Sequence, residues 1–285
     1  MEPFPTGVAM AIDPLVTRVL APNPSPFTYT GTQTYLVGTT EVAVIDPGPD
    51  EAPHLEALIA AIAGRKVVAI MCTHTHRDHS PAAAPLKAHT GAPIIGCAPL
   101  SLSDAGPRAD ASFDGNYAPD RVLSDGESVI GEGWTLTAVA TPGHTSNHLC
   151  FALPESGALF TGDHVMGWST TVVSPPDGDM AEFMASLDKL MHREDSVYFP
   201  AHGEPITKPH RFVRGLIGHR KQREGQILRL LKAEPRAVPA LVERMYVGLD
   251  PRLFGAAGRS VLAHLIDLRT RGVVAENGDE WRVAA

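Results

Sequence analysis

The sequence predicts an α/β fold over residues 1–205, followed by a smaller module of three helices and a terminal hairpin over residues 206–285. Three observations carry this expectation. In the first segment, short β-prone apolar runs alternate with stretches whose apolar residues recur at helical spacing. The charge changes sign near residue 205: residues 1–205 hold 24 acidic against 9 basic side chains, and residues 206–285 hold 8 against 15. Near the C-terminus, Asn277-Gly278 separates two short β-prone runs, a strong hairpin signal.

The elements follow in order. Tyr35 to Val37 and Val42 to Ile45 are predicted strands. Asp50 is a candidate N-cap for a helix with Leu55, Leu58, Ile59 and Ile62 on one face. Val67 to Cys72 is an apolar run of buried-strand type, Pro81 to Ala88 a short helix, and Pro93 to Cys97 a strand. Residues 100–118, rich in Ser, Asp, Gly and Pro, are expected to form a long surface loop. Thr135 to Ala140, Ala158 to Phe160 and Val197 to Phe199 are further strands. Asp179 can cap a helix carrying Phe183, Leu187, Leu190 and Met191. In the second segment, Lys208 to Lys232, Val238 to Tyr246 and Leu253 to Arg271 are helical. With the hairpin they suggest a winged helix.

Composition narrows the class. A hydrophobic content of 44% and a charged content of 20% are those of a soluble globular protein. No stretch approaches the roughly 20 apolar residues of a membrane span, and residues 1–20 do not have the pattern of a signal peptide. Cys72, Cys97 and Cys150 are scattered and are expected as buried thiols in a reducing cytoplasm.

The chemistry concentrates in Thr73-His74-Thr75-His76-Arg77-Asp78-His79-Ser80. Three imidazoles and a carboxylate lie within six residues at the end of a predicted strand. Such nitrogen and oxygen donors suit zinc and similar divalent ions, and four so close together can serve two ions. Three later anchors each set one potential ligand at a strand end beside Gly or Pro: Thr141-Pro142-Gly143-His144, Phe160-Thr161-Gly162-Asp163 and Pro200-Ala201-His202-Gly203.

His-x-His-x-Asp-His followed by His, Asp and His in this order resembles the metallo-β-lactamase superfamily, over roughly residues 15–205. Ala201 departs from the glycine common before that last histidine. The resemblance implies an αββα sandwich with two metal ions at one edge, between two sheets. By the same resemblance His74, His76 and His144 hold one ion, Asp78, His79 and His202 hold the other, and Asp163 bridges them. Gly162 to Thr170, Pro175 to Met180, His219-Arg220 and Ala263-His264-Leu265 look like the lactamase-β-like subgroup, which carries a C-terminal winged helix. That subgroup includes thioester hydrolases and enzymes that cut single-stranded RNA.

The expected activity is therefore that of a dinuclear metal-dependent hydrolase, using a metal-bridging hydroxide on a small ester, thioester or lactone. The alternatives are an endoribonuclease and, furthest off, a nucleic-acid-binding regulator with a vestigial site. Zinc is the expected ion, with manganese or iron as alternatives. Asp78 is the expected catalytic carboxylate, which binds metal and orients water or passes a proton. His164, which would point away from Asp163 if the strand persists, is a candidate catalytic or substrate-contacting residue, with simple packing as the alternative. Asp46, at a strand end, is expected to accept a hydrogen bond from a ligand histidine. Trp168, Ser169 and Thr170 are expected to line the cleft. Ser80 and Ser146 are expected to make only loop hydrogen bonds. Arg211, Arg214, Arg220, Lys221 and Arg223 could track phosphates or form a solvated helix face.

Overall fold

The computed structural model describes residues 5–100 and 113–284. A seven-stranded sheet runs in chain order: β1 (Met10–Asp13), β2 (Val16–Leu20), β3 (Gln33–Val37), β4 (Glu41–Ile45), β5 (Lys66–Cys72), β6 (Ile94–Gly96) and β7 (Arg121–Val122). Its first four strands pair antiparallel, and β4 to β7 pair parallel. A second sheet holds β8 (Ser128–Gly131), β9 (Trp134–Ala140), β10 (Leu149–Leu153), β11 (Ala158–Gly162) and β12 (Val197–Pro200), in the order β12-β11-β10-β9-β8. Residues of both sheets, including Tyr35, Ile45, Phe151, Phe160 and Phe199, share one buried core. β4, β5, β10 and β11 read as near-continuous apolar runs, as expected of strands covered on both faces.

Helix α1 (Ala52–Ile62) follows β4, and α2 (Ala83–Thr90) follows β5. Their buried residues Leu58, Ile62 and Leu86 join that core. Helix α3 (Met180–Met191) packs Phe183, Leu187 and Leu190 onto the outer face of the second sheet, against Val139, Cys150 and Leu159. The layers are thus αββα, as the resemblance implies.

The C-terminal part contains α4 (Pro209–Ala233), α5 (Val238–Met245) and α6 (Phe254–Thr270), with a small sheet of β13 (Arg236–Ala237), β14 (Val274–Asn277) and β15 (Glu280–Val283). Helices and hairpin together make a winged helix. The 25-residue α4 serves both cores: Val213 and Leu216 pack with α3, while Ile227 and Leu231 pack with α5 and α6.

Two expectations shift in detail, and a third holds. Asp50 does not cap α1: the cap position is Glu51, with no side-chain cap bond and Pro53 in the first turn. Asp179 does cap α3, accepting from the Glu182 amide at 2.9 Å. In the terminal hairpin Asn277 pairs with Glu280, so the loop is Gly278-Asp279, with Gly278 at φ +61°. Of the surface loop expected over residues 100–118, residues 101–112 lie outside the described residues. Cys72, Cys97 and Cys150 are free and buried, as expected. Among the described residues no helix is long and apolar enough to cross a membrane.

Candidate metal centre

All seven candidate ligands come from loops at the ends of strands. His74, His76, Asp78 and His79 follow β5, His144 follows β9, Asp163 follows β11 and His202 follows β12. The structure draws them into two groups. His74, His76, His144 and Asp163 form one, and Asp78, His79 and His202 the other, with the donor atoms of each group within 4.8 Å of one another. Asp163 touches both: Oδ2 lies 3.7 Å from His144 Nε2, and Oδ1 lies 3.2 Å from His202 Nε2 and 3.5 Å from His79 Nε2. Asp78 Oδ2 lies 3.3 Å from His79 Nε2 and 3.2 Å from His202 Nε2, and accepts from Thr32 Oγ1 at 3.3 Å.

The far nitrogen of four rings is already occupied. His79 Nδ1 donates to Asp46 Oδ2 at 3.0 Å, His144 Nδ1 to the Val172 carbonyl at 2.7 Å, and His202 Nδ1 to the Gly31 carbonyl at 3.2 Å. Thr73 Oγ1 donates to Asp46 Oδ2 at 2.8 Å, so it can accept from His74 Nδ1 at 3.0 Å. These acceptors fix the tautomer and turn each Nε2 lone pair inward. His76 offers Nδ1, 3.0 Å from His74 Nε2 and 3.1 Å from His144 Nε2, and a single proton cannot satisfy both contacts. His79 Nε2 and Asp163 Oδ1 are buried without a hydrogen-bond partner. Converging lone pairs, orphaned buried acceptors and carboxylates fit divalent cations in both groups.

The electrostatics differ between the groups. Burial pushes His74 well below the ordinary imidazole value, with neighbouring histidines adding to the shift. Burial and then His144 push His76 down to about 3. His79 and His202 go the other way. Burial opposes their charge, but Asp78, Asp163 and Asp46 raise His79, and Asp163 and Asp78 raise His202. For Asp78 and Asp163 burial favours the neutral acid, yet the surrounding imidazoles outweigh it and hold both carboxyls below their usual range.

Asp46 acts as the sequence suggested. It is buried, accepts from the Thr73 amide and hydroxyl at 2.8 Å each, and holds His79. Its backbone sits at φ +48°, a left-handed conformation that Asp tolerates better than most residues. His164 does not contact the cleft. It is 0% exposed, packs edge-on to Phe183 at 4.8 Å between ring centroids, and neither ring nitrogen has a hydrogen-bond partner. Of the two readings the sequence leaves open, the geometry matches packing: the residue after Asp163 turns into the layer beneath α3, against Phe183. Trp168, Ser169 and Thr170 do line a cavity next to the ligands, and Trp168 stacks on Tyr29 at 4.9 Å. Ser80 and Ser146 bond Asp114 and Asp177, as expected of loop residues. The five basic residues do not share one face: Arg211, Arg214 and Lys221 are exposed, Arg220 is buried and Arg223 is half-buried.

Sequence reasoning missed His148. Its Nδ1 meets Thr141 Oγ1 at 2.9 Å, and its Nε2 accepts from the Asp163 amide at 3.3 Å, which fixes the backbone of that ligand. It also missed Phe27, which lines the small cavity over the ligands with Met166, Thr171 and Val172. No Gly or Pro adjoins His148, and Pro26 beside Phe27 marks no strand end.

Comparison with known proteins agrees with this geometry. The family model described as metallo-beta-lactamase superfamily matches residues 28–202, and the chain belongs to that superfamily. A second model, beta-lactamase associated winged helix domain, matches residues 237–281. The chain is 31% identical over 293 residues to a beta-lactamase-like protein 2 homolog of Drosophila melanogaster, covering 95% of this chain and 96% of that protein. It is 34% identical over 228 residues to an atrochrysone carboxyl ACP thioesterase of Aspergillus fumigatus, covering 78% of this chain and 66% of the relative. A crystal structure of a metallo-beta-lactamase family protein from Thermus thermophilus superposes with a TM-score of 0.79 at 23% identity, over 96% of this chain and 100% of that one. Site and family together make this chain a metallo-β-lactamase-fold hydrolase.

Proposed function

We propose that this hydrolase binds two zinc ions and cleaves small acyl thioesters. The observation that carries the dinuclear reading is Asp163, which turns one carboxylate oxygen toward each ligand group. His74, His76 and His144 would hold one ion, and Asp78, His79 and His202 the other. Ions bound there supply Lewis acidity and lower the pKa of water from about 15.7 toward roughly 7.

The chain's own groups do the rest. Asp78 turns Oδ2 to His79, His202 and Thr32, which leaves Oδ1 free among the described residues to orient water and carry a proton. Asp46, Val172 and Gly31 keep the imidazoles in one tautomer throughout. The leaving thiolate needs little protonation, because a thiol has a pKa of about 8.5. Two observations favour a thioester over RNA. A relative over most of the fold is named as a thioesterase. The small cavity over the ligands also has apolar walls of Phe27, Met166 and Val172, which suit an acyl group better than a phosphate.

The test is a substrate panel on zinc-loaded protein: acyl thioesters, lactones, a β-lactam chromogen, bis-nitrophenyl phosphate and single-stranded RNA. Thioesters are expected to show the highest kcat/KM. Cleavage of RNA without thioester hydrolysis overturns the reading. Elemental analysis is expected to give two zinc ions per chain, and iron or manganese in their place would correct the metal.

A further inference from the structure

Two arginines of α4 have no counter-ion where one is most needed. Arg220 is 4% exposed, donates to the Thr171 carbonyl, and lies over the Phe183 ring at 5.0 Å. Arg223 lies over the Tyr246 ring at 4.3 Å, with Nη1 donating to Gln226 Oε1 at 2.9 Å and to the Met245 carbonyl at 3.1 Å. Among the described residues neither forms an ion pair with a carboxylate. Exposed arginines elsewhere do: Arg252 pairs with Asp250, Arg269 with Glu276 and Arg271 with Glu224. That is the reverse of what burial demands, since a buried charge is costly unless paired. Burial pulls Arg220 down to about 10, the Tyr246 phenol opposes the fall, and the neighbouring Arg223 adds to it, with no carboxylate among the causes. His219 Nε2 accepts from Arg223 Nε at 3.3 Å, and its buried Nδ1 has no partner.

These side chains line a cavity of ≈ 200 Å³ whose lining is otherwise mostly apolar, including Phe27, Met166, Leu249, Leu253, Ala256 and Ala257. The cavity shares Phe27, Met166, Thr171 and Val172 with the space over the metal ligands, so the two adjoin. Thr171 links them directly: its hydroxyl donates to the Asp163 carbonyl at 2.6 Å, and its own carbonyl accepts from Arg220. A cavity of about 150 Å³ accommodates a benzene ring, so this one takes a short chain or one ring. It is too small for a carrier arm as well, which must leave toward solvent.

We propose that this cavity, between the winged-helix module and the catalytic layers, binds the acyl group of a substrate whose far end carries a carboxylate, with Arg223 and Arg220 as its receptor. The proposal rests on the thioesterase reading and specifies its substrate class: monothioesters of small dicarboxylic acids, hydrolysed to the dicarboxylate and a free thiol.

The test compares S-glutaryl and S-(5-methylhexanoyl) N-acetylcysteamine, which match in shape and differ in charge, on zinc-loaded wild type, Arg223→Gln and Arg223→Lys. Wild type is expected to prefer the glutaryl ester. Arg223→Gln is expected to lower that preference roughly ten- to hundredfold, the range for a hydrogen bond to a charged group, and Arg223→Lys to retain part of it. Calorimetric titration of glutarate and of acetate reads binding without turnover: Arg223→Gln is expected to weaken glutarate by a similar factor and leave acetate unchanged. If glutarate weakens but no thioester is hydrolysed, the thioesterase reading fails and the anion pocket stands. If thioesters are hydrolysed with no glutaryl preference in wild type, or with one that Arg223→Gln leaves intact, the pocket proposal is overturned. Loss of single-stranded RNA cleavage in Arg223→Gln, with unchanged thioester selectivity, assigns the arginines to phosphates and also overturns it. Should Arg223→Gln fail to fold, the wild-type preference and the Arg223→Lys ratio decide.

Discussion

The two ligand groups face each other across Asp163 and solve opposite electrostatic problems. In the first, His74, His76 and His144 are crowded together, and burial keeps His74 and His76 neutral. Their lone pairs are ready, but Asp163 is the only negative charge in the group. In the second, Asp78 takes the place of one imidazole and Asp46 stands behind His79, so carboxylates raise both His79 and His202. The first group attracts a cation mainly by donor geometry, and the second mainly by charge. One carboxylate therefore matters to both groups, another to one group only, and Asp46 acts on the second group directly through His79 and on the first only through Thr73. Substitutions can separate these roles.

The largest effect is expected for Asp163→Asn. It keeps the shape and removes the charge that two closely spaced dications share, and like charges repel strongly when partly desolvated. Changing a residue that only supports a ligand costs about 10–100-fold in metal affinity or activity, so losing this ligand's charge should cost more than about 100-fold in turnover. Metal analysis after dialysis should give fewer than two ions per chain. Two retained ions with near wild-type turnover would remove Asp163 from the bridging position.

Asp78→Asn is expected to act on one group. His79 and His202 remain as donors, so metal content should fall less than in Asp163→Asn while turnover still drops, through misplaced water or a missing proton carrier. Equal metal loss in the two variants would contradict the asymmetry between the groups. Asp46→Asn should be milder again, about 10–100-fold in affinity for the second ion, with a smaller effect on the first ion, which it reaches only through Thr73 and His74. Asn tolerates the φ of +48° at this position, so the loss reports the hydrogen bond to His79 rather than backbone strain. Selective loss of the first ion instead would break this assignment.

The ligands could be read in advance because each is local to a strand end and to a Gly or Pro turn. His144, Asp163 and His202 each follow the last apolar residues of a strand, and the parallel pairing of β11 with β12 brings two of them side by side. Asp46 was legible for the same reason. The walls of the substrate space were not. Phe27 precedes β3, Met166 and Val172 follow β11, and Arg223 and Leu253 belong to the other module. Nothing in the sequence brings these residues together, since their proximity follows from how α4 lies on both cores. His164 misled because β11 ends at Gly162, so strand alternation no longer sets where the next side chains point. Arg220 and Arg223 sat in a basic helix whose periodicity could not separate a buried cation from a solvated one.

The smallest expected effect, and the sharpest test of the contrast, is the pH dependence of stability in chelator-treated protein, where the imidazoles answer only to the chain's own charges. His76 is lowered in the fold to about 3, against about 6.5 in an unfolded chain. As pH falls below about 6.5 the unfolded state takes up the proton first, so the contribution of His76, full above that value, is lost toward acid. Asp78 and Asp163 act on the same side: their lowered carboxyls stabilise the fold above about 3.8 and lose that contribution as pH falls further. His202 is raised, so its contribution is full below about 6.5 and disappears as pH rises through its folded value. His76→Asn should therefore flatten part of the acid limb of a plot of Tm against pH, leaving the carboxylate part. His202→Asn should flatten the limb above neutrality. If both substitutions flatten the same limb, the two ligand groups do not differ in charge as their neighbours require.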